Sequence, residues 1–353
     1  MDNNKIVICG FGKMSKIIIK YLSELNANII DVFDHNKKVG LNVGEECNID
    51  NYNISVKNIN DLELILKEKK PDVCIVATKS LLKDVYEILY LCASNGVNVL
   101  TICEESFYPQ NSSPKLYEKL DKIAKINNCT ISGTGYQDVA WGYLITTIAG
   151  SLSNIGRITG QSSYNVEEYG KALAEAHGVG LTQDEFNNKL GKQLSEEELQ
   201  YTIKNGEFIP SYRWNTNGWL ASKMGLVVEK QSQYNKPIIS NEAFYSSELS
   251  MYIKKSDIIG MSSVVNTKTK EGIEIEFECI GKIYKSNEVD NYKIKIYDVN
   301  DNEIISITIP EPKTAERTCA TIVNRIPDII EAPSGFITTD KFNAPKYLVK
   351  KTK

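Results

Sequence analysis

A doubly wound α/β fold of the Rossmann type is predicted by two features of the first third of the chain. Short apolar runs alternate with segments of helical period, and a glycine-rich turn follows the first run directly. A third feature, strand-like alternation from about residue 258, predicts an α+β second domain with a mostly antiparallel sheet, suited to substrate binding and oligomerisation. The expected boundaries are 1–137 for the dinucleotide-binding domain, 138–310 for the second domain, and 311–353 for a segment returning to the first.

Residues 5–10 (KIVICG) form a short apolar run suited to a buried parallel strand. Residues 13–25 have helical spacing, with Ile17, Ile18, Tyr21, Leu22 and Leu25 on one side. Strands follow at 28–33, 72–78, 97–103 and 130–132. Helices fall between them at 60–69, 82–95 and 114–127. Residues 138–149 read as an apolar helix. Thr182 and Glu185 form a T-x-x-E capping box ahead of another. Residues 273–284 alternate: Ile273, Ile275, Phe277, Cys279 and Ile283 face one way, and Glu274, Glu276 and Glu278 the other. Strands at 292–299 and 303–309 continue the pattern, and 315–325 is a helix.

The chain has 353 residues, 42% hydrophobic and 24% charged, which are globular proportions. Net charge is −4, with no basic excess, so nucleic acid is not the expected partner. No run approaches the ~20 apolar residues that span a bilayer, and the N-terminus lacks a signal-peptide layout. A cytoplasmic protein is expected. The eight cysteines form no C-x-x-C pair and there are only two histidines, so buried reduced thiols are expected and no metal site. Only Arg157, Arg213, Arg317 and Arg325 are arginine among 41 basic residues. In so lysine-biased a chain each arginine is a candidate for work that needs its planar fork.

Gly10-Phe11-Gly12-Lys13-Met14-Ser15 matches G-x-G-x-x-G with serine in the third place. Gly10 permits the tight turn and Gly12 a close approach of backbone to a pyrophosphate. Lys13 and Met14 open the helix whose amides attract it. Asp34, at the end of the second strand, is the candidate acceptor for the ribose hydroxyls and favours NAD. Lys37 and Lys38 beside it leave NADP open. Ala77, Thr78 and Lys79 end the next long strand and are expected along the ribose and pyrophosphate. Ligands in such sheets bind at the carboxyl ends of strands. This directs attention to Glu104 and Glu105 after one strand and to Tyr136 and Asp138 after the next, an acidic mouth suited to a cationic amine. His177, between alanine and glycine, reads as an exposed-loop residue able to move protons. Tyr169 is a candidate substrate contact and Arg213 a candidate clamp for a carboxylate.

Three segments carry a resemblance: Cys103-Glu104-Glu105-Ser106-Phe107-Tyr108-Pro109, Thr134-Gly135-Tyr136-Gln137-Asp138, and Ala176-His177-Gly178-Val179-Gly180. With Val323-Asn324-Arg325-Ile326-Pro327 and Glu331-Ala332-Pro333-Ser334-Gly335-Phe336, they resemble the 2,4-diaminopentanoate dehydrogenases, NAD(P)-dependent enzymes of fermentative ornithine degradation. The architecture is similar to dihydrodipicolinate reductase, although that enzyme's His-His-x-x-x-Lys segment is absent. The resemblance implies oxidative deamination of a diamino acid. Glu104, Glu105 or His177 would be the base, and the remaining acids and Arg213 would hold the substrate. The alternatives are an imine reductase and a non-catalytic NAD(H) sensor. A homodimer formed through the second sheet is the expected assembly.

Overall fold

The computed structural model describes residues 4–350 except 36, 51, 170, 247, 248 and 286; the side chains of residues 169 and 172 are also outside the description. The chain divides into two compact units. The first comprises Met1–Thr146, Thr202–Ile209 and Thr314–Lys353, and the second Thr147–Tyr201 and Pro210–Lys313.

The first unit is built on seven parallel strands: β1 (Lys5–Cys9), β2 (Asn28–Asp34), β3 (Lys57–Asn58), β4 (Val73–Val76), β5 (Asn98–Thr101), β6 (Thr130–Gly133) and, from the end of the chain, Gly335–Phe336. The order is 3-2-1-4-5-6, with Gly335–Phe336 beside β6. Strand residues alternate between two cores. Ile6 and Ile8 pack with Ile18, Ile19 and Leu22 and with Cys319, Ile322 and Ile326 from the C-terminal helices Thr314–Asn324 and Ile326–Glu331. Val7 and Cys9 pack on the other face with Leu62, Val85, Leu89 and Leu120. Each such side chain buried from water contributes about 1.5–3 kcal/mol. In the helix Lys13–Glu24 the fully buried stripe is Ser15, Ile18, Ile19 and Leu22. The expected Ile17, Tyr21 and Leu25 are only half-buried, one step around the helix.

Three features of this unit differ from the pattern reading. Asp31, within the apolar run of β2, is buried and held by Lys57 and Lys69 at 2.6 and 2.7 Å. A short helix Val43–Cys47, capped by Asn42, precedes β3. Residues Asp138–Tyr143 form a π-helical turn inside the helix that continues to Ala149, a local irregularity often found near functional sites.

The second unit holds a six-stranded mixed sheet made from β7 (Arg157–Asn165), β8 (Val228–Ile239), β11 (Ile258–Thr269), β12 (Glu274–Lys282), β13 (Asn291–Tyr297) and β14 (Glu303–Pro310), in the order 14-13-7-12-11-8. A two-stranded hairpin, β9 (Phe244–Ser246) and β10 (Met251–Ile253), stands apart from it. All pairings in the large sheet are antiparallel except β7 with β12. The alternation of β12 follows the expected faces: Ile275 and Phe277 are fully buried, and the helix Tyr212–Lys223 packs on β11 and β12. The opposite face is polar. Glu276 of β12 lies in register with Thr159 of β7, which pairs with Lys295 of β13. Glu278, Gln161 and Lys293 form the next row.

Candidate active site

The phosphate loop is fixed by what a side chain would meet there. Gly10 has φ +99°, and a Cβ on it would lie 2.4 Å from the Ala77 carbonyl oxygen. A Cβ at Gly12 would meet nothing within 4 Å, so the loop's outer side is open. Gly12 ends the turn, and the helix it opens carries no acid in its first turn. The positive end of the helix dipole therefore faces this space with no acid in the first turn to oppose it. Lys13 is exposed and Met14 half-buried. Ser15 is fully buried, as packing of helix on strand requires of the third fingerprint position.

Asp34 lies at the end of β2 and ties that strand to the loop. Its carboxylate accepts the Phe11 and His35 N–H groups, each at 2.6 Å, and Lys38 Nζ at 3.1 Å. Burial raises its pKa, but these donors outweigh burial and hold the carboxyl below its ordinary value. An anion stays in place beside the loop with lone pairs left for a ribose diol. Ala77 is buried, and Thr78 and Lys79 are exposed at the end of β4. This open cradle, amide terminus and fixed acid fit a dinucleotide.

The adjacent glutamates after β5 diverge. The 3₁₀ turn Glu104–Phe107 directs Glu105 inward. One of its oxygens accepts the Leu82 N–H at 2.7 Å, at the start of the helix Leu82–Ser94. The other accepts the hydroxyls of Ser112 and Ser113 at 2.8 and 2.5 Å. Glu105 is therefore a buried cap and brace rather than a group in a substrate mouth. Glu104 is exposed. The turn lies against β6: a Cβ at Gly133 would come within 2.4 Å of the Ser106 carbonyl.

After β6, Tyr136 is nearly buried. Its N–H donates to Thr318 Oγ1 at 3.1 Å and its hydroxyl accepts from Arg317 Nη1 at 2.9 Å. Asp138, expected to face substrate, is instead fully buried. It accepts Arg325 Nε at 2.9 Å and the Thr134 hydroxyl at 3.0 Å. Burial raises its carboxyl pKa, and the Arg325 charge opposes that rise.

In the second unit, His177 is 8% exposed rather than in an open loop. Its Nδ1 lies 2.8 Å from the Leu173 carbonyl, which can only accept, so the proton sits on Nδ1. Nε2 then accepts the Tyr164 hydroxyl at 2.5 Å. The two rings meet edge to face, and a Cβ at Gly281 would collide with both. Burial pushes the imidazole pKa below 6.5, and the Leu173 bond only partly restores it. Arg213 is 4% exposed. Its guanidinium lies 3.8 Å from the Phe277 ring and 4.1 Å from Tyr212, and it donates to Ser162 Oγ at 3.2 Å. The aromatic side of the sheet encloses it, so it braces the helix Tyr212–Lys223 and is not an open clamp. The side chain of Tyr169 lies outside the described residues. Among the described residues no group of three His, Cys, Asp or Glu side chains could hold a metal ion, and none of the eight cysteines is in a disulfide.

Residues 140–353 match the family model described as the 2,4-diaminopentanoate dehydrogenase C-terminal domain. The chain belongs to this family. It is 22% identical to the 2,4-diaminopentanoate dehydrogenase of Acetoanaerobium sticklandii over 99% of this chain and 96% of that protein. Among solved structures, the amine dehydrogenase from Mycobacterium smegmatis superposes with a TM-score of 0.82 at 30% identity, over 98% of each chain. A probable dehydrogenase from Thermotoga maritima shares the fold, with a TM-score of 0.59 at 10% identity over 95% of this chain and 92% of that one. With the phosphate cradle in place, the family member described here is an NAD(P)-dependent oxidoreductase.

Two of the site's partners were not foreseen in sequence, Thr318 for Tyr136 and Tyr164 for His177. Only the scarcity of arginine marked Arg317. Gly12→Val should leave the thermal midpoint near wild type, because its side chain enters open space. It should weaken NADH binding by about tenfold or more, read by nucleotide fluorescence, because that space is where the backbone must approach a phosphate. Unchanged NADH affinity would contradict this placement.

The unfolded chain binds a proton at His177 near pH 6.5, whereas the folded chain binds it only at lower pH. As pH falls below 6.5, protonation therefore favours unfolding, and stability is lost. The thermal midpoint should fall between pH 7.5 and 5.5 with a shallower slope in His177→Gln, as measured by differential scanning fluorimetry. Parallel slopes would rule out this contribution.

Proposed function

We propose that this NAD(P)-dependent, amine-acting oxidoreductase deaminates a diamino acid, 2,4-diaminopentanoate, to 2-amino-4-oxopentanoate and ammonia. The reading places it in the cytoplasm, in ornithine degradation. The observation that carries it is the divergence of the two glutamates. Glu105 is consumed by three internal donors, whereas Glu104 stands exposed on the strand edge that also bears the phosphate loop. Similarity to the 2,4-diaminopentanoate dehydrogenase of A. sticklandii and to the M. smegmatis amine dehydrogenase supports the substrate class.

Glu104 removes a proton from the substrate ammonium and so makes the nitrogen lone pair available. Bound NAD(P) supplies the hydride acceptor. The product of oxidation is an imine. Having passed that first proton to solvent, Glu104 takes one from the water that adds to the carbon of the protonated imine and returns it to the nitrogen; ammonia departs, the hydroxyl proton is lost to solvent, and the ketone remains. Its negative charge also attracts the cationic substrate. Asp34 keeps the nucleotide-binding edge in register through the Phe11 N–H.

Glu104→Gln should reduce kcat by about 10²–10⁴-fold, the usual contribution of a positioned base, with an unchanged thermal midpoint. Glu105→Gln should instead cost about 1–3 kcal/mol of stability, because an amide NH₂ would face donors that need an acceptor. Reduced-cofactor absorbance with 2,4-diaminopentanoate and a melting curve separate the two roles. Full activity in Glu104→Gln would refute the assignment.

The polar face of the second sheet fits a second copy of the chain. Glu276 and Glu278 on β12 and Lys293 and Lys295 on β13 offer opposite charges that a two-fold axis can bring together. Gel filtration with light scattering should give twice the monomer mass, and Lys293→Glu with Lys295→Glu should shift the protein toward monomer. A wild-type monomer would exclude this assembly.

A further inference from the structure

We propose that Arg317 is the anchor for the carboxylate of the amino-acid substrate, with Tyr136 as the positioning residue that holds its guanidinium. The proposal rests on the amino-acid reading above. Arg157 is paired with Asp301 at 2.6 Å, and Arg325 with Asp138 and Asp328 at 2.9 and 2.6 Å. Arg213 is enclosed by aromatic rings. Arg317 is exposed, and among the described residues it has no carboxylate partner.

Although exposed, Arg317 is held. Nη1 donates to the Tyr136 hydroxyl at 2.9 Å, and the guanidinium carbon lies 5.3 Å from that ring's centroid. Thr318, the next residue, ties the same helix to the Tyr136 backbone at 3.1 Å. One N–H of the fork is used for positioning, and the rest remain to meet an anion. Its place in the helix is also informative. Arg317 lies in the first turn of Thr314–Asn324, where the helix dipole disfavours a cation. A charge kept there against the local field, forming no ion pair among the described residues with Glu316 of the same turn, fits an external anion.

Its position selects which anion. Tyr136 follows β6, whose Gly133 abuts the turn that begins at Glu104. Two residues after Arg317, Cys319 Sγ lies 3.4 Å from the carbonyl of Met14, in the first turn of the phosphate-loop helix. Arg317 therefore stands on the same carboxyl edge of the sheet as Glu104. A diamino acid brings ammonium groups, which Glu104 attracts, and a carboxylate, which Glu104 repels. A fixed guanidinium on that edge resolves the conflict and sets which amine meets the base.

The test measures binding in two stages. NADH is titrated into wild type and Arg317→Ala by fluorescence, and 4-oxopentanoate, a carboxylate without an amine, is then titrated into the NADH-saturated proteins by calorimetry. The carboxylate Kd should rise about 30-fold in Arg317→Ala, the size of a lost charged hydrogen bond, while the NADH Kd stays within about twofold. Tyr136→Phe should raise the carboxylate Kd by only about three- to fivefold, because it loosens the fork without removing it. Carboxylate binding that ignores Arg317, or that is absent in wild type, would overturn the proposal. So would an equal weakening of NADH, which would assign the guanidinium to the cofactor phosphates. Turnover of 2,4-diaminopentanoate by wild type tests the substrate reading separately. Its absence alongside Arg317-dependent carboxylate binding would reject that reading and keep the anchor.

Discussion

The first unit depends on one buried ion pair. Asp138 and Arg325 are 187 residues apart in sequence and wholly withdrawn from water, with Nε on the carboxylate at 2.9 Å. The same guanidinium reaches Asp328 and the Asn343 carbonyl, both at 2.6 Å, and lies over the rings of Tyr143 and Phe342. Removing either charge would strand the other in a low-dielectric interior, at a cost of about 3–5 kcal/mol. A greasy pair of equal volume could hold these segments together as firmly. It could not dictate one register, as a fork with three fixed acceptors does. That register sets where the helix Thr314–Asn324 begins, and hence where Arg317 and Thr318 meet Tyr136.

Geometry of the same kind separates two chemically identical neighbours. Glu104 and Glu105 follow β5 in a 3₁₀ turn, which rotates successive side chains by about 120°. One enters a set of donors waiting for an acceptor: the first unpaired amide of a helix and two serine hydroxyls. The other remains in water. A helix cap and an exposed carboxylate at the same strand end are thus supplied by consecutive residues. Asp34 shows a comparable economy, joining β2 to the glycine-rich loop while staying anionic at the strand end.

Much of the fold was legible in the chain. Apolar runs such as KIVIC, each followed by a helix of 3.6 period, required burial on both faces and so a parallel sheet covered on both sides. The alternation of β12 foretold a sheet with one dry and one polar face. Harder to read were β7, whose residues RITGQSSYN alternate weakly, and Asp31, whose charge inside an apolar strand is tolerated only because Lys57 and Lys69 converge on it from elsewhere.

For the site, the sequence by itself determined the chemistry available: a Gly10-x-Gly12 turn between strand and helix, an acid at the end of β2, two acids after β5 and four arginines. These follow from local rules, because backbone sterics, strand ends and helix termini act over a few residues. Tertiary structure alone decided how each group was used. Asp138 was withdrawn by Arg325, Arg213 by a cage of rings, His177 by Tyr164 and Gly281, and Glu105 by a helix start. Glu104 and Arg317 were left exposed. A side chain's solvation and charge partners are set by residues brought near it through folding, and sequence spacing carries no record of those distances.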